Sequence, residues 1–250
     1  MTSRSQSKQI FLSAEWRDLV MLNFEVESDL LNRYVPAGTS LDSFKGKIYV
    51  SLVGFRFCRT KLLGRFPIPF HTDFDEVNLR FYVRRKAGAE DRRGVVFIAE
   101  IVPKPAIAKI ARAFYGENYM CLPMKHAIET FDSGKKIDYQ WRVDGRWCKL
   151  SAQTANEFHR PSEGSLEQFI TEHYWGYSSQ RSDDCLEYHV SHTPWQVWAT
   201  TIAGLEGDSS SLYGSELGAV IQRRPDSAFV ADGSPVVVFK GDVFKGDEIR

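Results

Sequence analysis

The sequence predicts an α+β protein dominated by antiparallel sheet, large enough to curl or close on itself. Three observations carry that expectation. About ten runs of strand length follow one another with turn signals between them, against only about three or four short helical patterns. The stretch Phe74–Val83 alternates, setting apolar Val77, Leu79, Phe81 and Val83 against Glu76, Asn78, Arg80 and Tyr82. Asp144-Gly145, between YQWRV and RWCKL, is the dipeptide of a tight hairpin.

In chain order, a polar tail at residues 1–9 reads as disordered, and residues 10–245 read as one domain because no linker, repeat or low-complexity segment divides them. Residues 16–26 predict a strand. Ser28 then predicts the cap of a short helix, DLLNRYV, which must stop before Pro36. Residues 46–63 and 74–83 predict two long strands, and GVVFIAEIVPK a third. Pro105 suits a first helical turn, and Ile107, Ile110, Ala111 and Phe114 recur at helical spacing, so residues 105–115 predict a helix packed on the sheet. Lys109 and Arg112 fall on its other side. Strands follow at about 119–131, 136–143 and 146–153, with turns at DSGKK and DG. Ser165 and Gln168 have capping-box spacing and predict a short helix, after which WGYSSQ, CLEYHVSH, WQVWATTIAGL and SPVVVFKG read as further strands.

Composition excludes several classes of function. Lys+Arg and Asp+Glu are 32 each and no long block of like charge occurs, so bulk electrostatics point to neither nucleic acid nor an anionic membrane as partner. No apolar window approaches the ~20 residues of a bilayer span, and the polar N-terminus is unlike a signal peptide, so a cytoplasmic protein is expected. Cys58, Cys121, Cys148 and Cys185 form no C-x-x-C pair and read as free thiols in a reducing compartment. His173, His189 and His192 complete no ligand set for a metal, and no P-loop, G-x-G-x-x-G or Gly-x-Ser-x-Gly occurs, so no cofactor is expected. Oligomeric state leaves no mark in the sequence.

The residues that can carry chemistry centre on the alternating strand. Glu100 interrupts VVFIAEIV, where an unpaired carboxylate is costly. A hairpin turn near GAEDRR sets it opposite Arg80, or opposite Asn78 or Tyr82 if the register moves by two. Glu76, Asn78, Arg80 and Glu100 then form one polar row, either a pocket in which Arg80 grips a carboxylate or carbonyl ligand, or an inward ion-pair network that fixes register. His173 and Trp175, within FITEHYWGY, are further candidates for a pocket wall, although such rings also fill cores.

YVPAGTSLDSFKGKIYVSLVGFRF, FDEVNLRFYV, GVVFIAEIVPKPAIAKIAR, ENYMCLPMKH and GSLEQFITEHYWGY together resemble the YqjF-like bacterial proteins, a family without an established activity. The likeness runs from about Trp16 to Lys240. It implies a fold similar to acetoacetate decarboxylase, in which a large curved antiparallel sheet closes into a cone-like barrel around a pocket. In that enzyme a lysine of an adjacent Lys-Lys pair forms a Schiff base, its amine made nucleophilic by a depressed pKa. This sequence lacks the pair at the matching place. Lys104, between two prolines, stands as a candidate nucleophile and Glu76 or Glu100 as acid–base group. The expectations are therefore a small-molecule pocket, a lysine-dependent decarboxylase or lyase, or a structural protein.

Overall fold

The computed structural model describes residues 9–180 and 183–246. The predicted tail, residue 9 excepted, lies outside them. The described residues form fifteen strands: β1 Ile10–Val26, β2 Ser40–Leu41, β3 Ile48–Leu62, β4 Phe66–Pro67, β5 Phe74–Ala87, β6 Glu90–Val102, β7 Tyr119–Cys121, β8 Met124–Phe131, β9 Gly134–Val143, β10 Arg146–His159, β11 Trp175–Ser179, β12 Asp184–His192, β13 Val197–Glu206, β14 Ser227–Phe239 and β15 Asp242–Lys245. Three helices accompany them: α1 Pro105–Tyr115, α2 Leu166–Thr171 and α3 Ser210–Gln222. No described helix is long and apolar enough to cross a membrane.

Seven strands close a barrel in the order β12-β11-β6-β5-β3-β1-β14, and β14 pairs back to β12. Closure removes the edges that so many strands would otherwise leave unpaired. Beyond β14 the sheet continues through β13, β10, β9 and β8 as a wing that folds over the outside of the barrel. The alternation in β5 explains the division. Val77, Leu79, Phe81 and Val83 face outward into a core shared with Ile137, Tyr139, Trp141 and Leu150 of the wing. The even-numbered residues face the barrel interior. Gly54 in β3 allows the layers to meet, because a Cβ there would stand 2.7 Å from the Tyr139 ring and 2.8 Å from Leu150.

The expected helix after Ser28 is two 3-10 turns, Ser28–Leu30 and Asn32–Tyr34, and Ser28 caps neither. Only seven residues separate it from Pro36, too few to repay helix nucleation, and such short pieces favour the tighter turn. Helix α1 has the predicted limits, but Tyr115 rather than Phe114 continues its buried stripe from Ile107 and Ala108; Phe114 is 62% exposed and rests beside Phe11. Ser165 caps α2, its Oγ accepting from Gln168 N at 3.1 Å. Gln168 departs from the reciprocal capping box and accepts from Gly164 N. Helix α3 went unpredicted because Gly214, at φ 79°, breaks it and blurs its period.

Candidate ligand-binding cavity

The barrel encloses a cavity of about 120 Å³. A water needs roughly 10–15 Å³ measured in this way, so there is room for a small organic molecule. One wall is aromatic, built by Trp16, Phe55, Phe57, Phe74, Phe97 and Trp195. The other carries the polar row: Glu76, Asn78 and Arg80 from β5, with Glu100 from β6. α1 contributes Ile107, Ile110, Ala111 and Tyr115, and the segment ending α2 contributes Ile170, Thr171 and His173.

The register decides which groups meet. Asn78 pairs with Glu100, and one residue out of step Arg80 pairs with Phe97. Of the predicted registers, the one opposite Asn78 holds and the one opposite Arg80 does not. The bulge leaves both Ile98 and Ala99 in the outer core and turns Val95, Phe97 and Glu100 inward. That is why VVFIAEIV reads as apolar on both faces.

Glu76 is buried and accepts from Asn78 Nδ2 at 2.9 Å and from Tyr119 Oη at 3.1 Å. Burial outweighs these donors and the more distant Arg80, and pushes its carboxyl up to about 7. Glu100 is 1% exposed and its Oε2 meets no donor among the described residues. Burial first, then the charges of Glu117 and Glu76, raise it well above the ordinary carboxylate range. Glu117 accepts from Tyr188 Oη at 2.6 Å and burial pushes it up to about 8. The three carboxyls thus stand together at one end of the cavity with two tyrosines. Among the described residues no group of three or more such side chains is arranged to hold a metal ion.

Arg80 occupies the opposite condition. It is 8% exposed, its Nη2 reaches only the Ile170 carbonyl at 3.4 Å, and among the described residues no carboxylate lies within 4.0 Å of its guanidinium. The register-fixing ion pair expected of a structural network is therefore not formed at Arg80. Beside it His173 donates from Nε2 to Asp42 at 3.4 Å, and Asp42 also accepts from Arg93 at 2.7 Å. Burial lowers the imidazole to about 4, so it is neutral at pH 7 and Nδ1 remains an acceptor without a partner among the described residues.

The remaining expected residues divide. Trp175 lines the cavity with Arg92 over its ring at 4.3 Å. Tyr82 does not line it: its hydroxyl is engaged by Ser51 at 2.6 Å and its ring packs against His173. The ring is too close to α2 to reach open space, being packed edge-on against Phe169. Lys104 does not line the cavity either. It is the N-cap residue of α1, and its backbone carbonyl is held by Ala108. Among the described residues no lysine lines the cavity.

Sequence reasoning missed Glu117, Tyr119 and Tyr188, and with them Trp16, His192 and Trp195. Glu117 had a usable signal. Gly116 ends α1 at φ 65°, so the next residues turn back, and β7 then pairs in parallel with β6, setting Tyr119 beside Glu100. His192 stacks on Trp195 at 4.3 Å, a contact between the end of β12 and the loop after it that no periodicity reveals.

Comparison with known proteins agrees with this architecture. The acetoacetate decarboxylase of Legionella pneumophila superposes with a TM-score of 0.66 at 13% identity, covering 98% of this chain and 92% of that one. The enduracididine biosynthesis enzyme MppR complexed with pyruvate gives 0.65 at 12% identity, covering 96% and 93%. At these identities the likeness is one of fold. In sequence, the uncharacterized protein YqjF of Bacillus subtilis is 27% identical over 209 residues, 78% of this chain and 81% of that protein. Residues 13–235 match the uncharacterized conserved proteins of DUF2071, and the chain belongs to that family.

Proposed function

We propose that the protein binds a small organic acid in the barrel cavity, its carboxylate on Arg80 and its apolar body against the aromatic wall. The observation that carries this reading is a buried guanidinium with no carboxylate within 4.0 Å among the described residues. Burying a charge is costly unless it is paired, and the planar fork of arginine suits a carboxylate bidentately. An acid with a carbonyl beside its carboxylate fits best, because burial and the charges of Glu117 and Glu76 favour the protonated form of Glu100, and in that form it can donate to a carbonyl oxygen. Pyruvate, the ligand in one MppR complex, is an acid of that kind. An amine-dependent decarboxylase would need a lysine at the ligand, and none lines the cavity among the described residues.

A thermal-shift screen of wild type against small carboxylates, ketones and 2-oxo acids tests the proposal. A ligand at a hundred times its dissociation constant adds about 2.7 kcal/mol to the folded state. Acids should raise the melting temperature of wild type and not of folded Arg80→Met. A response to neutral ketones alone, or an equal response in the variant, would refute the role of Arg80.

A further inference from the structure

The geometry points to a lysine-independent acid–base site that enolises a bound 2-oxo acid, with Glu76 as the base and Glu100 as the acid. This rests on the ligand reading above and adds a reaction to it. Both carboxyls line the cavity that holds Arg80, and they come from paired strands with Asn78 between them. Their hydrogen bonds differ in kind. Glu76 receives two donors, the Asn78 amide and the Tyr119 hydroxyl, which favours its ionised form. Glu100 Oε2 receives no donor among the described residues, and burial first, then the charges of Glu117 and Glu76, outweigh the Tyr119 hydroxyl beside it and favour its protonated form. Burial raises both carboxyls, but the two donors hold Glu76 to about 7 while Glu100 is raised well above the ordinary range, so the first gives up its proton more readily and the two can act as base and acid at one cavity.

With the ligand carboxylate on Arg80, Glu76 removes a proton from C3. The C–H electron pair becomes the C2=C3 double bond, and the C2=O π pair moves to oxygen, which takes the proton of Glu100. The products are the enol, protonated Glu76 and ionised Glu100. Reversal restores all three, so the cycle consumes no oxidant, reductant or other reactant. If Glu76 exchanges its proton with water before reversal, the C3 hydrogens exchange with solvent.

The experiment is proton NMR of 2-oxobutanoate and phenylpyruvate in deuterium oxide, with calorimetric binding of the same acids run in parallel. Wild type should exchange the C3 hydrogens of an acid it binds at least 10²-fold faster than buffer, and borohydride should add no mass to the protein. Glu76→Gln should lose about 10²–10⁴-fold of that rate while binding the acid as before. Glu100→Gln, still neutral, should bind normally and lose a comparable share, and Lys104→Met should match wild type. Melting curves establish that each variant is folded. Binding without exchange in wild type overturns this inference and leaves the ligand reading standing. Exchange that survives in both glutamine variants, or vanishes in Lys104→Met, also overturns it. An absence of binding across the acids overturns both.

Discussion

Two arginine sites on the same pair of strands are built in opposite ways. Toward the hairpin end of β5–β6, Arg85 and Arg92 share Glu187, each guanidinium on one carboxylate oxygen, and Tyr177 Oη donates to the same carboxylate at 2.9 Å. Five residue pairs further along, Arg80 is withdrawn further from water, yet among the described residues its guanidinium keeps only a backbone carbonyl at 3.4 Å and the Tyr82 ring at 5.8 Å. In the first cluster each guanidinium is paired with a carboxylate of the protein, so its removal should cost stability and nothing else. The second is incomplete and opens on a cavity, so its removal should cost binding and little stability. An ion-pair network and a ligand site are distinguished by which charges the chain itself neutralises.

The largest expected effect breaks the first cluster. Glu187→Ala leaves part-buried Arg85 without a carboxylate and Arg92 with exposed Glu90 alone, and should cost about 3 kcal/mol in a urea melt, whereas Arg80→Met should lie within about 1 kcal/mol of wild type or be more stable. Equal losses at the two sites would erase the distinction.

The carboxyl cluster predicts a pH dependence of the next size. Glu117 rises on folding from an ordinary carboxylate value to about 8, and Glu76 to about 7, so the folded chain holds more protons than the unfolded one across that interval. Stability is then greatest on the acid side and falls as pH rises through the folded values, by on the order of 2 kcal/mol between pH 6.5 and 8.5 from Glu117 alone. His173 acts in the opposite sense. Lowered to about 4, it favours the folded state as pH rises through 4 to 6.5, so the fall due to the carboxyls emerges cleanly only above pH 6.5. Chemical melts at a series of pH values should show the slope in wild type and a flatter one in Glu117→Gln; no difference between them would remove Glu117 from the account.

The smallest effect concerns the support of Arg80. Ser165 caps α2, whose Ile170 carbonyl is the polar contact Arg80 keeps. Ser165→Ala should lower stability by about 1 kcal/mol, read as a lowered melting temperature. It should weaken acid binding far less than Arg80→Met does.

The strand pattern was legible because alternation, hairpin dipeptides and proline boundaries are local. So was the polar row, since Glu76, Asn78 and Arg80 occupy one face of a single strand. The register was not, because it turns on a bulge at Ile98 and Ala99 that apolar residues leave unmarked. The partners of the row were hidden for a different reason. Glu117 and Tyr119 come from a turn after α1, Tyr188 from β12 and His173 from the exit of α2, and only barrel closure brings them together. Tyr82 shows the limit of face counting: it shares the inward face with Arg80, yet α2 covers it.

On the reading proposed above, the carboxylate of a ligand completes Arg80. A crystal structure of the protein with phenylpyruvate tests it most directly. The ligand carboxylate should lie about 2.7–2.9 Å from the Arg80 guanidinium, with its ring against the aromatic wall and its carbonyl oxygen toward Glu100. A ligand bound elsewhere, or an Arg80 guanidinium turned onto one of the protein's own carboxylates beside an empty cavity, would contradict it.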